Sequence, residues 1–258
     1  MHSQINFGYP WAFNYGHLVV AVVFLALLCL AWIRKWHKAV IVVLGLATVW
    51  ASASFVMVRY GFNMNGRATM PTEAFLRLGA GKVLDMGAGT GRSTLMVLEA
   101  RPQATVVALD SFGESYVEHF GDRKSGAVVD QGRARLLANL TAAGVAQRAS
   151  IQPGDMRQMP LESDTFDAVV SAYAIDHLGR EGIRKSLSEA NRVLKPRGEF
   201  LLMVIAKDFW LEFTFGPLLM HAHKVAADFW ERSLRDAGFE IVEQGMRPAT
   251  KYILARKT

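Results

Sequence analysis

The stretch Val83-Leu84-Asp85-Met86-Gly87-Ala88-Gly89-Thr90-Gly91-Arg92-Ser93-Thr94 constrains this chain more than any other. Val83 and Leu84 read as the end of a buried strand. Glycines on alternate positions follow, and a helix opens near Arg92. A backbone without side chains at Gly87, Gly89 and Gly91 turns sharply and lets a ligand come close. The helix N-terminus behind it offers free N–H groups to a polar or anionic ligand. Strand, glycine turn and helix in that order build a nucleotide site at the carboxyl end of the first strand of a doubly wound α/β domain.

The spacing narrows the ligand. A dinucleotide fingerprint is G-x-G-x-x-G, whereas this loop is Asp-x-Gly-x-Gly-x-Gly. Asp85 would repel a pyrophosphate and attract a ligand carrying a positive amino group. The loop resembles the first motif of class I S-adenosylmethionine (SAM)-dependent methyltransferases. The competing reading is a glycine-rich turn in another Rossmann-like domain, such as a dehydrogenase. The resemblance implies an α/β, Rossmann-like doubly wound fold with a mostly parallel seven-stranded sheet. It also implies SAM as cofactor and S-adenosylhomocysteine as product, with Asp85, Gly87, Ala88, Gly89 and Gly91 at the cofactor.

Two apolar runs precede this domain. Residues 18–33 and 39–58 are almost unbroken in apolar character, and Arg34-Lys35-Trp36-His37-Lys38 separates them. The second is about twenty residues, enough to span a bilayer, and the first is marginally sufficient. Tyr9, Trp11, Tyr15, Trp32, Trp36 and Tyr60 flank them as an interfacial belt does. No basic region precedes the first run and a second run follows it, which disfavours a signal peptide. No polar face interrupts either run, which disfavours a buried core hairpin. The expected division is a membrane-anchoring hairpin over 1–60 and a methyltransferase domain over 61–258. A Lys/Arg-rich short loop should face the cytoplasm. A simple two-span hairpin would then put the domain outside, away from SAM. Arg59, Arg67 and Arg77 on the domain side, a re-entrant second run, or a hairpin dipping into one leaflet each resolve the conflict. The cofactor places the domain on the cytoplasmic side.

Charge excludes little else. Of the 29 Lys and Arg, only Arg34, Lys35 and Lys38 lie in residues 1–58, so the other 200 residues carry 26 against 23 Asp and Glu. That balance is too mild to imply nucleic acid and is compatible with a position near anionic lipid. The single cysteine, Cys29, allows neither an intrachain disulfide nor a cysteine metal cluster.

Along the domain, residues 70–78 read as a helix with Thr69 as cap and Pro71 in its first turn. Strands are expected at 82–85, 105–109, 149–152, 166–171 and after 198. Asp110 follows Gly87 by 23 residues, a distance at which an acid accepts from ribose hydroxyls, and Ser111 follows it. Residues 111–128 depart from the family as an insertion, either a lid or a solvated loop. Helical spacing resumes at 130–143, with Leu136, Leu137 and Leu140 on one face. Asp155 and Met156 resemble the family's adenine contacts, and plain core packing is the other reading of Met156. Ser171 ends the fourth strand beside the cofactor.

Tyr173, Asp176 and His177 follow that strand at the expected reaction centre and are the candidate catalytic residues. Histidine has the right ordinary pKa to take a proton near neutrality. Asp176 as a cap of the next helix, and His177 as its packing partner, stay open. Residues 184–194 read as a helix that Pro196 and Gly198 end, turning into the fifth strand. Residues 207–223 are too apolar for an idle surface segment. His221 and His223 end it, and with His177 they make only a weak metal signature, so no metal is expected. A helix over 225–237 and an antiparallel pair at 239–242 and 252–255 close the domain.

The implied reaction is displacement of methyl from the sulfonium, with the protein positioning, desolvating and removing a proton. The apolar runs and the 207–220 segment favour a lipophilic acceptor: a phospholipid amine, a quinone-type phenol or a thiol. A small soluble acceptor, or a membrane-tethered SAM-binding protein without catalysis, are the alternatives.

Overall fold

The computed structural model describes residues 5–112, 127–216 and 226–258, with the backbone alone at 80 and 127–131. The chain forms two compact units. One comprises Met1–Phe7, Arg67–Ala206 and His223–Thr258, the other Gly8–Gly66 and Lys207–Ala222.

The second unit holds helices α1 (Trp11–Ile33) and α2 (Lys38–Val56), the latter continued by a π-helical turn over Met57–Phe62. Lys35 takes a left-handed φ of 54° between them, and His37 Nδ1 accepts from the Ala39 amide to cap α2. Ala21, Ala31, Ala51 and Ser54 are the buried positions of the two helices. Small residues there let the two backbones approach, while Val22, Val23, Leu25, Trp32, Val43 and Val49 point outward. Both spans, of 23 and 25 residues, are long and apolar enough to cross a membrane. A short helix α6 (Phe209–Phe215), capped by Asp208 through the Leu211 amide at 2.7 Å, belongs to this unit. Its last carbonyls take donors from the apolar helices: Trp50 Nε1 to Phe213 O at 2.8 Å, with His17 Nε2 3.0 Å from Thr214 O. Phe215 stacks on Phe62.

The first unit is a seven-stranded sheet in the order β3-β2-β1-β4-β5-β7-β6. Its strands are β1 (Ala80–Met86), β2 (Gln103–Asp110), β3 (Ala149–Pro153), β4 (Phe166–Ala172), β5 (Leu194–Ile205), β6 (Phe239–Arg247) and β7 (Thr250–Lys257). The first five are parallel, and β7 runs antiparallel to both β5 and β6. Helices α3 (Arg92–Ala100), α4 (Ala127–Ala142), α5 (Arg180–Val193) and α7 (Phe229–Asp236) connect them. Val83, Leu84, Val169 and Val170 are fully buried on both faces of the central strands, as parallel strands covered by helices require. Ile183, Leu187 and Ala190 of α5 join Trp230 and Leu234 of α7 over one face in a single core. The strand order reverses between β1 and β4. That switch point opens a crevice at the carboxyl ends of the strands.

Four expectations need correction. Residues 70–78 are irregular, not helical. Arg101 donates to the carbonyls of Phe75 and Glu73, and Arg247 to those of Met70 and Pro71, so the acceptors a helix would use are taken. Leu76 also has a positive φ of 49°. Pro196 and Gly198 do not turn the chain into a new strand: β5 starts at Leu194 and carries them in a bulge opposite β4, with Arg197 at φ 62°. The last helix begins at Phe229, not 225. Leu137 points to solvent at 52% exposure while Leu136 and Leu140 are buried.

Candidate active site

The glycine turn hangs from β2. The amides of Gly87 and Ala88 both donate to Leu109 O, at 2.8 and 3.0 Å, and Gly89 N donates to Asp110 Oδ2 at 2.8 Å. Asp110 Oδ1 accepts from Phe112 N at 3.1 Å. A carboxylate has about four lone-pair directions, so Asp110 keeps acceptor capacity for ribose hydroxyls. Ser111 beside it is exposed. Gly87 has φ 86°, and a Cβ there would lie 2.3 Å from Ala174 Cβ and 3.0 Å from Met156 Cε. The loop, Met156 and the segment after β4 therefore meet at one point. Ala88 is buried in the turn, and Gly91 (φ 89°) is the cap position of α3 and makes no side-chain cap bond, while the Thr94 amide in the first turn of α3 is bonded to the Asp85 carboxylate.

Asp85 sits beneath this loop rather than in it. Its carboxylate is fully buried and accepts from Ser93 Oγ at 2.8 Å and Thr94 Oγ1 at 2.5 Å. Burial pushes its pKa up to about 6, the two hydroxyls pull it down, and the Asp110 charge adds to the rise. The sequence suggested direct attraction of an amino group. The geometry gives Asp85 the task of fixing the loop to the first turn of α3. Ser93 and Thr94 escaped the sequence reading, although hydroxyls in a helix's first turn, eight and nine residues past the acid, are a recognisable partner signal.

Ser171 is likewise buried, and its hydroxyl donates to Met86 O at 2.8 Å, tying β4 to the end of β1. Asp155 pairs with Arg157 through side chain and backbone, Nη2 to Oδ2 at 2.6 Å. The guanidinium holds its carboxyl below the usual carboxylate range. Arg157 is a neighbour that the sequence reading did not weigh.

Residues 173–177 follow the carboxyl end of β4 and join it to the carboxyl end of β5 and the amino end of the antiparallel β7. Tyr173 has φ 55°, a strained conformation for a bulky residue. Its amide donates to Met203 O, and its hydroxyl lies 2.7 Å from Thr250 Oγ1 of β7. Asp176 Oδ2 accepts from Ile205 N at 3.0 Å, while Oδ1 is buried with no hydrogen-bond partner among the described residues. Burial pushes the Asp176 pKa up, against the pull of the Ile205 amide and of His177. Asp176 does not cap α5, whose cap position is Gly179 with no side-chain bond. His177 is exposed, with its amide on Ala174 O. His221, His223 and most of the 111–128 insertion lie outside the described residues. Among the described residues no three His, Cys, Asp or Glu are grouped to hold a metal.

This arrangement matches known proteins. A methyltransferase domain model matches residues 84–202. The chain is 28% identical over 147 residues to a ubiquinone/menaquinone biosynthesis C-methyltransferase of Syntrophotalea carbinolica, covering 57% of this chain and 53% of that one. It is 30% identical over 138 residues to a malonyl-[acyl-carrier protein] O-methyltransferase of Nitrosospira multiformis, covering 52% and 39%. The matches thus span about half or less of those relatives. The fold is shared with a 1,6-didemethyltoxoflavin-N1-methyltransferase of Burkholderia thailandensis, crystallised with S-adenosylhomocysteine (TM-score 0.50, 20% identity, 71% of this chain and 74% of that one). The glycine turn, the switch point of the seven-stranded sheet and the family match agree, and residues 84–202 form a methyltransferase domain of the class I S-adenosylmethionine-dependent family.

Proposed function

We propose that this chain is a membrane-anchored methyltransferase whose acceptor is a lipophilic phenol of the quinone-precursor type. The observation that carries the reading is the pair of long helices with outward apolar faces on the same chain as the methyltransferase domain. Helices of that length and surface are at home in a bilayer. The quinone-biosynthesis relative supports the acceptor class. On this reading the hairpin anchors the chain and the domain works on the cytoplasmic side, where SAM is supplied.

SAM, when bound, supplies an electrophilic methyl on a sulfonium and leaves as S-adenosylhomocysteine. The chain's own residues do the rest. Ser93 and Thr94 hold Asp85, and Asp85 holds the loop. Asp110 receives the ribose hydroxyls, and Asp155 with Met156 receives the adenine. The acceptor meets Tyr173, Asp176 and His177. A phenol attacks through oxygen or a ring carbon once its proton leaves. The free oxygen of Asp176, in a carboxyl whose pKa burial raises, takes that proton. The test is methyl transfer from labelled SAM into the lipid extract of membranes holding the full chain, with Asp110→Ala as control. Label in lipid that the variant loses supports the reading. Label confined to small soluble acids or to protein points to a soluble acceptor. SAM binding with no labelled product points to a sensor.

A further inference from the structure

The glycine turn has a second support, from a distant part of the chain. Asn6 and Phe7, a few residues before α1, lie in the same unit as the methyltransferase sheet. Asn139 of α4, 2% exposed, spends its whole amide on this junction. Its Oδ1 accepts from Asn6 N at 2.8 Å, and its Nδ2 donates to Asn6 O at 3.0 Å and to Thr90 O at 2.9 Å. Thr90 completes the circuit, its hydroxyl donating to Phe7 O at 3.1 Å. Phe7 is itself buried, at 4% exposure.

Thr90 stands between Gly89, whose amide is held by Asp110, and Gly91, which starts α3. A turn with positive φ at Gly87, Gly89 and Gly91 has much conformational freedom to lose on binding a ligand. Fixing it beforehand moves that cost from binding to folding. Asp110 fixes one side of the turn. Asn139 and the 6–7 segment fix Thr90 on the other.

We propose that residues 6–7 are a strap on the cofactor loop and that Asn139 and Thr90 are positioning residues for SAM. This rests on the SAM-dependent family and not on the lipophilic acceptor. The stretch leading into the first apolar helix then serves the cofactor site as well as the anchor.

The test is calorimetric titration of the full chain in nanodiscs with S-adenosylhomocysteine, which needs no acceptor. Asn139→Ala should weaken binding about tenfold, and Thr90→Val by several fold. Thr90→Ser keeps the hydroxyl and should bind like the parent. Asn6→Pro removes the donor to Asn139, and combined with Asn139→Ala it should cost less than the two separate losses together. Melting of the ligand-free variants is recorded in parallel. Lower melting temperatures with unchanged affinity in Asn139→Ala and Thr90→Val would overturn the proposal, leaving a strap that only stabilises. If Asn139→Ala fails to fold, the Thr90→Val and Thr90→Ser pair decides alone.

Discussion

The carboxylate of Asp110 holds the amide of Gly89 at 2.8 Å, so the end of β2 sets the shape of the turn that follows β1. One acid thus shapes the loop, and on the proposed reading it also receives the ribose. Asp110→Ala should weaken S-adenosylhomocysteine binding about a hundredfold, more than a lost ribose contact alone, because the turn loses its anchor. Calorimetric titration measures this, with unchanged far-UV circular dichroism as the folding control.

Gly87 is closed to any side chain. Its φ of 86° and the 2.3 Å approach of a Cβ to Ala174 predict that Gly87→Ala destabilises by about 3 kcal/mol. Ala174→Gly in the same chain should recover part of that loss, since it removes the clash and leaves the backbone strain. Urea unfolding of the three variants separates the two contributions.

Buried Asp85 makes stability depend on pH. Its pKa rises from 3.8 to about 6 on folding, so between those values the native state binds more protons than the unfolded chain. Stability from this group is fully present below pH 3.8 and falls as pH rises toward 6, by about 3 kcal/mol. Asp85→Asn should remove that fall while keeping the side-chain shape. Unfolding free energies at pH 4 and 7 for parent and variant give the difference directly.

Asp176→Asn should cut kcat by about a hundredfold or more while S-adenosylhomocysteine still binds as to the parent. On the proposed reading the acceptor's proton goes to Asp176 Oδ1, which has no hydrogen-bond partner among the described residues, and the amide cannot take a proton. Tyr173→Phe loses only the hydroxyl shared with Thr250 and should cost much less. Single-turnover kinetics at saturating SAM distinguish these from binding defects.

Much of the fold was legible because its signals are local. Strands β1 and β4 are short apolar runs, the glycine turn is a contiguous motif, and Asp110 closes a strand at a fixed distance from Gly87. The unread parts depend on partners far along the chain. Residues 70–78 have helical composition, but the guanidinium groups of Arg101 and Arg247 take their carbonyls. The Tyr173 hydroxyl meets Thr250 across 77 positions of sequence. The burial of Asp85 and its bonds to Ser93 and Thr94 are not legible in the sequence, because a buried acid and an exposed one have the same letter. That residues 209–215 pack with the apolar helices was visible only as surplus hydrophobicity in that segment.

The most direct measurement gives the full chain in nanodiscs labelled SAM and two acceptors, a demethylated quinol with a long isoprenoid tail and the same ring without it. A membrane methyltransferase of the proposed kind labels the tailed quinol, far faster than the tailless ring, and Asp176→Asn abolishes the label. Equal labelling of both rings, or label in neither while S-adenosylhomocysteine binds tightly, contradicts it.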